Sequence, residues 1–103
     1  MEAPISISLR AKSEIFSTLS ANKIPETYGL RIGLKGGACS GSIMLGFDTQ
    51  TSSDQVYWID GVKVYIDKKH LMYVLGVSVD YEDGLNGSGY TVSTLENKTL
   101  ERD

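Results

Sequence analysis

One cysteine, one histidine, one tryptophan and two prolines stand among the 103 residues of this chain. A single cysteine, Cys39, cannot form an intramolecular disulfide, which fits a reducing compartment. Without staples a chain this short needs a well-built core or an oligomer. No apolar stretch approaches the roughly 20 residues of a membrane span. No run of lysines and arginines marks a basic patch, and the net charge of −3 argues against nucleic acid and anionic membrane as partners. Met1-Glu2-Ala3-Pro4 has no basic region followed by an apolar core, so it does not read as a signal peptide. These absences lead to the expectation of a cytoplasmic protein with one domain over residues 1–103.

What is present is short alternating segments. Ile5 and Ile7 suggest a brief strand. Ser8 can cap a helix from Leu9 to about Asn22, with Ala11, Ile15, Phe16 and Leu19 as its apolar face. Residues 28–34 alternate apolar with small or charged side chains and read as a half-buried strand. Residues 35–42 are rich in Gly and Ser and read as a loop. Ile43 to Phe47 is a second strand, and the polar run from Asp48 to Asp54 a loop. Asp60-Gly61, between strands 56–59 and 62–66, is a tight hairpin signal because glycine accepts positive φ. Asp67 can cap a short helix through Leu75, ended by Gly76. Val77 and Val79 begin another strand, residues 84–89 a turn region, and Tyr90 and Val92 a last strand. The tail from about residue 96 is polar and expected to fray. Hairpin-linked strands after a leading helix predict a mainly β, antiparallel domain rather than a βαβ sheet.

The most informative stretch is Gly36-Gly37-Ala38-Cys39-Ser40-Gly41. Flanking glycines let the backbone approach a ligand and aim N–H groups at it, which favours a thiolate and hence metal binding or nucleophilic chemistry. A buried cysteine in a glycine-rich turn is the plain alternative. Gly37, Cys39 and Gly41 also match a nucleophile-elbow spacing, but that motif needs a strand–turn–helix in a larger parallel sheet, and His70 is the only histidine. His70, behind Lys68 and Lys69, reads as a surface residue, without a second ligand at metal spacing. The glycines of residues 84–89 lack the lysine and helix of a phosphate loop. Tyr57, Trp58, Tyr65, Tyr73 and Tyr81 suit packing better than base stacking.

These segments, taken in order, resemble the HesB-like family of A-type iron–sulphur carriers. Leu30-Arg31-Ile32-Gly33, then Gly37-Ala38-Cys39-Ser40-Gly41, is similar to the family's "LRxGvxxgGCSG". Gly61-Val62-Lys63-Val64-Tyr65-Ile66-Asp67, then Leu71, Leu75 and Gly76, is similar to "g..vvvD..s...L.G". Val79-Asp80-Tyr81 and Gly87-Ser88-Gly89-Tyr90 resemble "lDYv....GsGF". The likeness runs over roughly residues 5–95.

The resemblance implies a compact, sandwich- or barrel-like β domain with an N-terminal helix and one short second helix, assembled as a homodimer or tetramer. It implies a carrier rather than an enzyme, binding iron or an iron–sulphur cluster and dealing with other assembly proteins or apo-protein clients. Family members use three cysteines, one in "CSG" and two in a C-terminal "CGCG". Here Cys39 matches the first, and an ungapped count from Tyr90 puts Glu101 and Asp103 near the missing pair. Met44 stands where many members carry tyrosine. A cluster normally takes four thiolates, and carboxylates are hard ligands poorly suited to replace them. Two copies of Cys39 would need help from an external thiol such as glutathione or from Glu101 and Asp103. The alternative is a degenerate member that binds no cluster and serves as an interaction module in iron–sulphur assembly.

Overall fold

A computed structural model describes residues 3–35, 42–85 and 87–93. In chain order these form β1 (Ser6–Ile7), α1 (Leu9–Ala21), β2 (Tyr28–Lys35), β3 (Ser42–Thr49), β4 (Asp54–Ile59), β5 (Val62–Asp67), a 3₁₀ turn (Lys68–His70), α2 (Leu71–Val74), β6 (Ser78–Gly84) and β7 (Gly87–Ser93). The expectation of a mainly β domain with a leading helix and a short second one holds.

Local chemistry sets most boundaries. Ser8 caps α1, its hydroxyl oxygen accepting from the Ala11 N–H at 3.0 Å and donating to Asp80 at 2.7 Å. That second bond ties the helix start to β6 and, with the Tyr81 N–H, holds the Asp80 carboxyl below its ordinary range. Lys23 ends the helix at φ 51°, and Ile24 N–H reaches back to Leu19 C=O at 3.0 Å. Asp60 (φ 50°) and Gly61 (φ 88°) make the two-residue turn between β4 and β5, the geometry the Asp-Gly pair predicts. Asp67 caps the 3₁₀ turn through the Lys69 N–H at 3.0 Å, so the predicted second helix is half 3₁₀ and half α.

The strands form two sheets, ordered β3-β2-β5-β4 and β1-β6-β7. Both are mixed, which corrects the antiparallel expectation: β2 pairs parallel with β5, and β1 with β6. The physical reason lies in how hairpins meet. β2–β3 and β4–β5 are antiparallel hairpins, and they join through their inner strands, which run the same way. Hairpin signals reveal partners within a hairpin and not the strands by which two hairpins meet. Strands also run further than their alternation suggests: β3 continues to Thr49, β4 starts at Asp54 and β7 at Gly87.

Ile5, Ile7, Ala11, Ile15, Leu30, Ile32, Val62, Val64, Ile66, Val74, Val77 and Val79 form the core between the helix and the sheets. Each fully buried Val or Ile contributes about 1.5–3 kcal/mol. Phe16, expected on the helix's buried face, is 44% exposed. One residue on from Ile15, it is turned about 100° from the centre of the stripe and lies at its edge, beside Gly61.

Candidate functional site

Cys39, Glu101 and Asp103, the candidate ligands, lie outside the described residues. What the structure defines is the frame that brackets them. Lys35 and Ser42 are paired in the β2–β3 register, so Cys39 belongs to the six residues that join two fully zipped strands. Ser93, from which residues 94–103 continue, pairs with Ser78 at the start of β6. Only Leu75, Gly76 and Val77 separate β6 from α2, and α2 packs on β2. The cysteine connection and the C-terminal tail thus depart from elements joined by α2.

β2 is built to hold the approach to Cys39. Its even positions, Leu30 and Ile32, are buried in the core. Its odd positions, Gly29, Arg31, Gly33 and Lys35, face the opposite side. A Cβ on Gly33 would lie 2.9 Å from His70 Nδ1, and the Leu34 N–H points at the same nitrogen at a long 3.4 Å. His70 is therefore half-buried and seated on β2, not the surface residue its lysine neighbours suggest. A Cβ on Gly29 would lie 2.9 Å from the Tyr65 ring and 3.0 Å from the Lys63 carbonyl oxygen. Tyr65, 1% exposed, lies across that glycine and donates its hydroxyl to Thr27 C=O at 2.9 Å.

Arg31 is the centre of the polar face. Its guanidinium grips Asp54 with two bonds of 2.8 and 2.6 Å, Asp48 at 3.0 Å and Thr49 C=O at 2.9 Å. It also stands 5.9 Å from the Tyr65 ring centre. The Asp54 side chain is fully buried. The Arg31 bonds, joined by the Thr51 N–H at 2.7 Å, pull its carboxyl from 3.8 down to about 2 against the opposing effect of burial. Asp54 in turn raises the Arg31 pKa. β3 and β4 are opposite edges of their sheet, so the link 50–53 must cross it. Arg31 binds both ends of that link. Sequence reading missed this cluster, because Asp54 closes a polar run that looks like an ordinary loop.

Among the described residues, no three His, Cys, Asp or Glu side chains gather to hold a metal ion. No helix there is long and apolar enough to cross a membrane.

No family model matches the chain. Individual proteins do. The iron–sulphur cluster insertion protein ErpA of Aeromonas hydrophila is 36% identical over 97 residues, covering 89% of this chain and 82% of that one. The SufA protein of Bacillus subtilis is 34% identical over 94 residues, covering 89% and 78%. Among solved structures, Escherichia coli SufA, involved in biosynthesis of iron–sulphur clusters, superposes with a TM-score of 0.72 at 18% identity, covering 91% of this chain and 88% of that one. IscA with its [2Fe–2S] cluster gives 0.65, also at 18% identity, covering 88% and 82%. The two structures support the fold, and the two relatives, at more than 30% identity over most of their length, settle the lineage. The chain belongs to the HesB-like family of A-type iron–sulphur carriers.

Proposed function

We propose that the chain binds iron or an iron–sulphur cluster as cargo through Cys39 and passes it on within iron–sulphur assembly. The observation that carries this reading is the likeness to cluster insertion proteins together with a matching "CSG" cysteine, placed in the connection of a hairpin zipped to its last pair. A rigid base supports a ligand loop because the loop's ends need no ordering when metal arrives. Thiolate is the soft ligand that iron–sulphur clusters take.

One chain has one thiol, so two copies of Cys39 supply two ligands and glutathione or the carboxylates Glu101 and Asp103 supply the rest. Glu101 lies eight positions beyond Ser93, enough for an extended reach of roughly 25 Å. Incomplete protein ligation makes the cargo easy to release. The single cysteine also favours a second reading, in which the chain binds no cluster and acts on other assembly proteins as an interaction module.

Anaerobic reconstitution with iron, sulphide and glutathione separates the two. Under the carrier reading the wild type gains a visible chromophore and bound iron, and Cys39→Ser gains neither. Equal background uptake by both proteins removes the carrier reading and leaves the interaction module.

A further inference from the structure

At the end of β2 away from the Cys39 connection lies a cavity of about 500 Å³, within the size range of small-molecule sites. It sits between α1 and the starts of β2 and β5. Its buried side is Ile15 of α1, Leu30 of β2 and Val62 of β5, all core residues. Its open side carries two aromatic rings, Tyr28 at 36% exposure and Trp58 at 67%. Apolar walls left in contact with water favour any apolar body that covers them.

One cation belongs to this cavity. Lys63 is the cross-strand partner of Trp58. Its Nζ stands 5.7 Å from the centre of the Trp58 ring and 5.6 Å from that of Tyr65. It donates to the Glu26 carbonyl oxygen, and among the described residues no carboxylate lies within ion-pair distance of it. Lys12, near the same turn, is by contrast taken by Asp60 at 2.5 Å. An ammonium has three donors, so Lys63 is held by one bond and two ring faces and keeps two N–H groups for a ligand. Among the described residues the one acid in the lining is Glu26, which is exposed.

We propose that this cavity binds a small apolar carboxylate, an acyl or aryl body ending in one carboxylate group. The body lies against Leu30 and Val62, and the carboxylate accepts from Lys63 Nζ. Charge selects this class. A fixed cation at the rim, without a carboxylate of its own among the described residues, takes an anion and rejects an ammonium. β2 puts roughly 20 Å between the cavity and the start of the Cys39 connection, so the site is separate from the cargo site and does not rest on the carrier reading.

Trp58 is the chain's one tryptophan, so its fluorescence reports on the cavity without a label. Octanoate, 1-octanol and octylammonium share a chain length and differ in head-group charge. Each is titrated into the full chain with no iron present, and Kd is read from the midpoint of the Trp58 change. The expected octanoate Kd is on the order of 0.1–1 mM, with octanol about tenfold weaker and octylammonium weaker still. In Lys63→Gln octanoate weakens about tenfold, to the level of octanol, and octanol binding is unchanged. Circular dichroism checks that the variant folds, and if it does not, the head-group comparison on the wild type decides alone. No saturable change up to about 10 mM octanoate overturns the proposal. Equal affinity for octanoate and octanol overturns it too, as does octanoate binding indifferent to Lys63→Gln. Tighter binding of octylammonium than of octanoate assigns the head-group site to Glu26 and likewise overturns it.

Discussion

Strand β3 is held by two connections that look alike in sequence. Residues 36–41 lead into it and residues 50–53 lead out, and both are short, polar or small, and uncharged. Their anchoring is different in kind. The outgoing link crosses from one sheet edge to the other and is fastened at both ends by Arg31, with Asp54 buried beneath it. The incoming one starts and ends on paired residues, Lys35 and Ser42, so the sheet itself fixes its ends, and its sequence is three glycines, an alanine and a serine around one thiol. The outgoing connection therefore matters for stability and the incoming one, under the proposed carrier reading, for chemistry, and substitutions at each should separate along that line.

The largest effect should come from Arg31→Met. Removing the guanidinium leaves Asp54 buried with its charge uncompensated, a loss of about 3–5 kcal/mol at neutral pH. Urea unfolding measures it. A second change, Asp54→Leu, should return most of the loss, because a buried ion pair adds little over a packed apolar pair while half of one is harmful. If Arg31→Met alone unfolds as the wild type does, the outgoing link is not held by this pair.

Acid should act on the same connection. The Asp54 carboxyl titrates at about 2 in the fold and at an ordinary 3.8 when unfolded. A folded-state pKa lowered in this way stabilises above the unfolded value and is lost as pH falls through the folded one. The difference corresponds to about 2 kcal/mol, present above roughly pH 4 and gone below pH 2. Subtracting the acid unfolding curve of Arg31→Met/Asp54→Leu from that of the wild type isolates it. A difference that does not change between pH 5 and 2 would contradict the buried-pair account.

Much of the fold can be read in the chain because local rules fix it. Ser8 before an apolar stripe, Asp60-Gly61 between alternating strands and Asp67 before a short helix each act within a few residues. Sheet order could not be read this way, since β2 meets β5 across more than 30 intervening residues and nothing local selects that neighbour. The candidate site divides in the same manner. Cys39 stood out through its flanking glycines and its resemblance to a family motif. The Arg31–Asp54 pair, 23 residues apart, and the seat of His70 on Gly33, with Leu34 and His70 36 apart, exist only once strands are side by side. A glycine in a strand was the available hint of a close approach, without naming what approaches.

That close approach gives the smallest and most local effect, on the strand that leads to Cys39. In Gly33→Ala the new Cβ meets His70 Nδ1 at 2.9 Å, so the ring must move. Overpacking of this kind costs about 1–3 kcal/mol. Replacing glycine within a strand returns about 0.5–1 kcal/mol through the lower entropy of the unfolded chain. The net loss should be about 1 kcal/mol, read from the urea midpoint. In a His70→Ala background the obstacle is absent, so the same substitution should become neutral or slightly stabilising, a coupling of about 1 kcal/mol or more between the two positions. Equal losses in both backgrounds would mean that Gly33 is required by the backbone and not by the histidine. Because the ring lies one residue before α2, the single variant should also lower iron uptake in reconstitution while His70→Ala/Gly33→Ala recovers it, if the seat of His70 is what sets β2, α2 and the connection bearing Cys39 in register.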